Sequence, residues 1–240
     1  MLSKNELKYI QSLCHKKQRE EEGLFVAEGP KIVGELLQSD YRIKKVYATK
    51  KWIEKNKNIA TSFEEITDDE LSKISSLQAP NEVLAVVEQK VQPALPRLQQ
   101  HITLLLDGIQ DPGNLGTIIR IADWFGITQL ICSEDTVELY NPKVIQSTMG
   151  SFLRVQLWYS NLLPFVSKAE VPVMGALLHG KSVYVIKKPV EAMLIIGNES
   201  KGIRENLLPY ITAPVTIPRK GGAESLNAAV ATGILLSHLT

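Results

Sequence analysis

Apolar and polar positions follow one rhythm in the first third of the chain and another in the rest, and the change falls within residues 91–98. In residues 5–22, Leu7, Ile10, Gln11 and Cys14 recur at helical spacing and Lys16, Lys17 and Arg19 follow. That pattern predicts one amphipathic helix ending before Gly23. Residues 24–27 read as a short strand, and Pro30 suits the first turn of a helix over 31–38. Strand-like runs occupy 43–48 and 83–88, and Thr67 with Glu70 forms a capping box ahead of a helix near 68–75. Strands alternating with helices in this way predict a small α/β unit.

Beyond residue 98 the strands become continuous apolar runs, each followed by a helical stretch. The strands are expected at 102–106, 129–132, 155–159, 171–176, 192–196 and 213–217, and the helices at 115–125, 142–150, 161–168 and 225–239. Uninterrupted apolar strands belong in a parallel sheet covered on both faces. Residues 91–98 contain Pro93 and Pro96 without periodicity, which marks a linker. The expected organisation is a domain at 1–92 and a second, α/β with a mainly parallel sheet, at 98–240.

At 44% hydrophobic and 22% charged residues, the composition is close to that of an average soluble globular protein and favours neither a disordered nor a fibrous chain. The apolar run at 228–236 is short for a bilayer and contains Thr232 and Gly233, and the N-terminus is polar rather than signal-like. No membrane attachment is expected, and the default location is cytoplasmic. Cys14 and Cys132 stand far apart with no Cys/His ligand spacing, so neither a disulfide framework nor a metal site is expected. The net charge of +1 hides an uneven distribution: residues 1–60 carry 13 Lys or Arg against 8 Asp or Glu, and residues 61–96 carry 2 against 7. Local potential steers a protein to phosphate, so the low net charge does not exclude a polyanion partner, and Lys16, Lys17 and Arg19 on the basic helix are either candidate phosphate contacts or a solvated face.

Three segments carry candidate chemistry. LLDGIQDPGNLGTIIRIADWFG (105–126) is a strand running through a Gly/Pro/Asn loop into a helix expected to open near Leu115, with Arg120 one turn in. MLIIGNESKGI (193–203) is a buried strand that meets a polar loop bounded by Gly197 and Gly202, glycines that would permit close backbone approach to a ligand. TIPRKGGAESLNAAVATGILL (216–236) repeats the arrangement, with Ser225 able to cap an apolar helix. Each has an ordinary structural explanation as a strand-to-helix turn. In an α/β sheet, however, all three lie at the carboxyl edge, where ligands bind.

In their order and content these segments resemble the SpoU family of RNA ribose methyltransferases, within the SPOUT superfamily. Asn114, Gly116 and Arg120 match the family's Asn-x-Gly-x-x-x-Arg pattern. Gly197, Asn198 and Glu199 match Gly-Asn-Glu, and Ser225, Leu226 and Asn227 match Ser-Leu-Asn. NPKVIQSTMGSF (141–152) is similar to the segment between the first two motifs, and FVAEGPKIV (25–33) with its basic helix resembles the family's ribosomal-protein-like substrate-binding domain. Ala228 and Ala229 depart from the Val and Ser that commonly follow the third motif, and Arg219 stands where many relatives have Met.

The resemblance implies a C-terminal SPOUT domain with a trefoil knot, where periodicity alone suggests an open Rossmann-like sheet. It implies S-adenosyl-L-methionine as cofactor, held around Gly197, Asn198, Gly202, Ile217 and Leu226, and a homodimer. It gives Arg120 the central catalytic role, with Asn114, Glu199, Ser225 and Asn227 arranging it and the ligands. Guanidinium groups hold their proton far above neutral pH, so Arg120 is expected either as the family's general base or as a stabiliser of the developing alkoxide. The expected substrate is RNA, ribosomal RNA ahead of transfer RNA. The rival readings are a non-catalytic RNA-binding or ribosome-assembly protein that keeps the fold, and a nucleotide-dependent oxidoreductase, for which the Gly-x-Gly-x-x-Gly fingerprint is missing.

Overall fold

The computed structural model describes residues 2–58, 62–92, 98 and 100–240. Its contacts divide the chain into two units, Met1–Val91 with Tyr140–Leu153, and Gln92–Leu139 with Arg154–Thr240. Pro93, Pro96 and most of the expected linker lie outside the described residues.

In the first unit, α1 (Lys4–Ser12) and α2 (Lys16–Glu22) lead into β1 (Leu24–Glu28), α3 (Pro30–Leu37), β2 (Ile43–Thr49), α4 (Lys50–Lys55), β3 (Phe63–Ile66), α5 (Asp68–Ile74) and β4 (Val83–Glu88). The sheet order is β1-β4-β2-β3, with β4 antiparallel to both neighbours and β2 parallel to β3. Ile10, Leu13, Leu24, Val26, Tyr47, Leu71, Ile74 and Leu84 form its core. The capping box of Thr67 and Glu70 opens α5 as expected. The single helix expected over 5–22 is instead two, separated by a turn at 13–15. A helix end leaves carbonyls without partners; here the Leu13 carbonyl accepts from Arg19 Nη1 at 2.8 Å, which draws Arg19 inside to 1% exposure.

The second unit is built on β5 (Ile102–Asp107), α6 (Pro112–Trp124) and β6 (Gln129–Cys132). After α7 (Pro142–Thr148), which belongs to the first unit, it continues with β7 (Gln156–Tyr159), α8 (Leu163–Ser167), β8 (Val173–Ser182), β9 (Ala192–Gly197), β10 (Ala213–Thr216) and α9 (Ala228–Leu239). The order β10-β8-β9-β5-β6-β7 has every pairing parallel, as the apolar runs require. Leu104, Leu105, Leu194 and Ile195 are fully buried at its centre, and each such side chain contributes about 1.5–3 kcal/mol relative to exposure. The pairing of β8 with β10 is broken: Pro214 aligns with Gly175 but Val215 with Lys181, so residues 176–180 leave the ladder. Three of them line the cavity described below.

Residues 140–153 were expected within the second domain, yet they group with the first unit. The reason is aromatic: the Phe25 ring centroid lies 4.6 Å from that of Tyr140 and 6.0 Å from that of Phe152, and Tyr41 lies 5.7 Å from Phe152. Apolar periodicity does not reveal which sheet such a segment covers.

Candidate active site

The first motif starts where β5 ends. Asp111 caps α6, its side chain accepting from the Asn114 amide N–H at 2.8 Å, and Pro112 takes the first helical position, where its missing N–H costs nothing. The helix thus opens three residues earlier than expected, and Asn114 is its third residue. Asn114 Nδ2 donates to Glu199 Oε1 at 2.5 Å, while its Oδ1 accepts from Asn227 Nδ2 at 2.8 Å. One amide therefore joins all three motifs.

The second motif is a tight hairpin closing β9. Asn198 and Gly202 exchange backbone hydrogen bonds of 2.8 and 3.1 Å. The glycines serve the hairpin itself: a Cβ on Gly197 would lie 2.4 Å from the Gly202 carbonyl carbon, and Gly202 sits at φ +69° with open space around its Cα. Asn198 likewise turns its side chain to the scaffold. Its Nδ2 donates to the Gly108 carbonyl at 2.8 Å and its Oδ1 accepts from the Ser200 and Lys201 amides at 2.9 and 3.1 Å. The Asn198 side chain is thus committed to shaping the hairpin, while Glu199 remains on the cavity side.

The third motif is an exposed loop, braced by Arg219 Nη1 donating to the Ala223 carbonyl at 3.1 Å. Asn227, rather than Ser225, is the helix cap: its Oδ1 accepts from the Ala229 and Val230 amides, leaving Nδ2 for Asn114. The helix begins at Ala228 for that reason, three residues later than expected.

The hairpin, the third-motif loop and the displaced part of β8 enclose a cavity of about 660 Å³, within the usual range for small-molecule sites. Ala176, Leu178, Ile196, Val215, Ile217 and Leu226 give it an apolar lining. Gly197, Asn198, Glu199, Gly202, Ile217, Ser225 and Leu226, all sequence candidates, line it. Asn114 and Asn227 reach it through Glu199. Arg120 is exposed on α6 and lies outside that lining. Because α6 opens at Pro112, Arg120 is its ninth residue, more than two turns in rather than one. Lys16 and Lys17 are exposed and pair along α2 with Glu20 and Glu21 at 3.6 and 3.8 Å. Arg19, expected beside them as a phosphate contact, is buried and engaged by Leu13, which removes it from the surface.

The residues beneath the site escaped the sequence reading. Asp107, fully buried at the end of β5, accepts from the Arg204 amide at 2.8 Å, and Arg204 Nε lies 3.1 Å from its other oxygen. Arg204 Nη2 also meets both oxygens of Asp135 at 2.5 Å. Burial pushes the Asp107 carboxyl above the usual carboxylate range, against the opposing pull of Arg204. Partial burial raises Asp135 too, but hydrogen bonds from Ser133 and Arg204 outweigh it and hold that carboxyl low. A charged residue ending an apolar strand, as Asp107 does, is the signal that could have been used. Among the described residues, no group of three or more His, Cys, Asp or Glu is placed to hold a metal ion, and no helix is long and apolar enough to cross a membrane.

The chain is similar to known proteins along its whole length. Residues 4–85 match the MRM3-like substrate binding domain. The chain is 33% identical over 237 residues to the 23S rRNA (guanosine(2553)-2'-O)-methyltransferase of Bacillus subtilis (strain 168), covering 93% of this chain and 91% of that protein. A putative RNA methyltransferase of the TrmH family from Porphyromonas gingivalis superposes with a TM-score of 0.89 at 37% identity, covering 100% and 98% of the two chains. The AdoMet-bound rRNA methyltransferase from Sinorhizobium meliloti superposes with a TM-score of 0.86 at 30% identity, covering 100% and 96%. With residues 101–237 matching its model, and the three motifs joined through Asn114, this chain belongs to the SpoU rRNA Methylase family.

Proposed function

We propose that the protein transfers a methyl group from S-adenosyl-L-methionine to a ribose 2'-hydroxyl of RNA, with ribosomal RNA the substrate class its relatives indicate. The observation that carries this reading is the amide chain Asn227–Asn114–Glu199 beside an apolar cavity formed by the other motif residues. The cavity fits the cofactor: its volume suits a nucleoside-sized ligand, and its lining is mainly apolar with polar residues from the hairpin and the third-motif loop. Gly197, Gly202, Ile217 and Leu226 would hold the cofactor, with Asn198 shaping the hairpin from behind. When bound, S-adenosyl-L-methionine supplies an electrophilic methyl on a sulfonium, and the protein contributes alignment and management of the hydroxyl proton.

Glu199 is oriented by Asn114, and Asn114 by Asn227, so the carboxylate cannot rotate without breaking the chain. Ser225, on the lining, is placed to hold the ribose. Arg120 stabilises the developing alkoxide as the proton departs. The trefoil knot, a homodimer with the site near its interface, and a cytoplasmic location form part of the same reading. Lys16 and Lys17 contact RNA phosphates by exchanging their Glu20 and Glu21 partners for the stronger polyanion field.

Labelled-methyl transfer to RNA from cells lacking the gene tests this reading. The wild-type protein should label one ribose 2'-hydroxyl. Arg120→Ala should keep cofactor binding and lose about 10²–10³-fold in rate, the usual cost of removing one such stabilising group. Neutralising Lys16 and Lys17 together should weaken RNA binding and flatten its salt dependence. Absence of transfer by the wild type, or full activity in Arg120→Ala, overturns the assignment; an unchanged salt slope removes the lysines from it.

A further inference from the structure

The carboxyl ends of β5 and β9 are joined by three successive rungs. At the cavity rim Asn114 Nδ2 meets Glu199; below it Asn198 Nδ2 meets the Gly108 carbonyl; at the base Arg204 is held by Asp107 through both backbone and guanidinium. The base rung extends to a third strand end. Arg204 reaches Asp135 beyond β6, Asp135 accepts from Ser133 Oγ at 2.7 Å, and the same hydroxyl accepts the Gly108 N–H at 2.8 Å. Gly108 is thus gripped at its amide by Ser133 and at its carbonyl by Asn198, with Arg204 Nη2 lying 3.4 Å from where a Cβ would stand.

We propose that Arg204, anchored by Asp107 and Asp135, is a positioning residue that sets the conformation of the 197–202 hairpin and so the affinity for the cofactor. The inference rests on the proposed cofactor reading. Arg204 leaves the hairpin two residues after Gly202, so wherever its backbone is pinned the hairpin must close. Asp107 pins that backbone directly, by accepting the Arg204 N–H. Its other oxygen faces the guanidinium, and a buried carboxylate deprived of its cationic partner is strongly disfavoured. The guanidinium thus works against the effect of burial on Asp107 and favours the carboxylate that accepts the hairpin N–H. Asp135 and Ser133 fix the guanidinium's far side, and rungs that share members reinforce one another. The arrangement reaches the cavity through the hairpin backbone alone: Arg204, Asp107 and Asp135 do not line it.

The test combines a measurement without ligand and one with it. In Arg204→Ala, amide hydrogen exchange at 198–203 should quicken at least tenfold while β5 and β9 amides remain protected. The dissociation constant for S-adenosyl-L-methionine should rise about tenfold or more, and KM for it should rise by a larger factor than kcat falls. Arg204→Lys, which restores a cation facing both carboxylates, should recover part of each effect. Should Arg204→Ala fail to fold, Asp135→Asn removes only the outer partner and should produce smaller changes in the same direction. Unchanged exchange and affinity in the variants overturn the proposal, as does loss of protection throughout the sheet, or an Arg204→Lys protein no better than alanine. A wild-type protein that binds no S-adenosyl-L-methionine overturns the cofactor reading instead, while the exchange measurement still decides the role of Arg204.

Discussion

At Gly197 the backbone passes so close to its own return at Gly202 and Ile203 that hydrogen alone fits between them. Gly197→Ala should therefore destabilise the protein by about 1–3 kcal/mol, the ordinary cost of forcing a methyl into filled space. It should also abolish cofactor binding, because the hairpin must open to admit the methyl. Thermal melting and calorimetric titration check this, and a variant that binds the cofactor normally would refute it. The same residues show what a sequence conveys and what it withholds. Gly197, Glu199, Ser225 and Asn227 were legible as candidates because their types and order are distinctive. Their directions were not: Asn198 faces the scaffold, Asn227 divides its amide between a helix end and Asn114, and Arg19 turns inward. For Asn198 and Asn227, direction depends in part on Gly108 and Asn114, 90 and 113 positions away, to which local pattern is blind. Arg204 was missed for the same reason, since it becomes informative only once Asp107 is beside it.

Among the elements, those with one clear apolar face or a continuous apolar run were readable, and β4, β6 and the capped α5 lie where expected. The six-residue α4 and the strand FEEI of β3 were not. The first is too short for periodicity to register, and the second carries two glutamates that its parallel pairing with β2 tolerates at an edge. Besides the packing of Ile10 into the core, helix α1 is tied to β2 by charge. Lys45 donates to Glu6 at 2.5 Å and pairs with Glu64, and the Tyr47 hydroxyl donates to Glu6 at 2.8 Å. The Lys45 hydrogen bond, helped by Tyr47 and opposed by burial, holds the Glu6 carboxyl below its ordinary range. Glu82 is held low chiefly by Lys51, with burial opposing and Lys55 helping. Lowered carboxyl values stabilise the folded state above the unfolded-state value and lose that contribution as pH falls through the folded one. The first unit should accordingly keep this contribution from neutral pH down to about pH 5 and lose it progressively below the ordinary glutamate value of 4.5. Each kcal/mol lost lowers the Tm of a domain this size by about 4–8 °C. Hydrogen exchange read separately in the two units across this range is the check, and a first unit as acid-resistant as the second would contradict it.

For the whole molecule, the proposed homodimer makes a demand on the surface of α6 and α9, which pack on each other. Trp124 is 84% exposed and Val230 51% exposed, large apolar side chains that a monomer would leave in water. Trp124→Glu should shift the sedimentation coefficient to that of a single chain and leave the fold intact by circular dichroism; an unchanged coefficient would remove α6 from the interface. The amide chain through Asn114 carries a different consequence, for folding. Its two hydrogen bonds link residues 85 and 113 positions apart. Contacts of such separation repay their loop-closure entropy only when the intervening strands are already in place. The three side chains proposed to arrange the site therefore come together late in folding, once the strands between them are paired. Any activity that depends on this amide chain should then track completion of the fold around it.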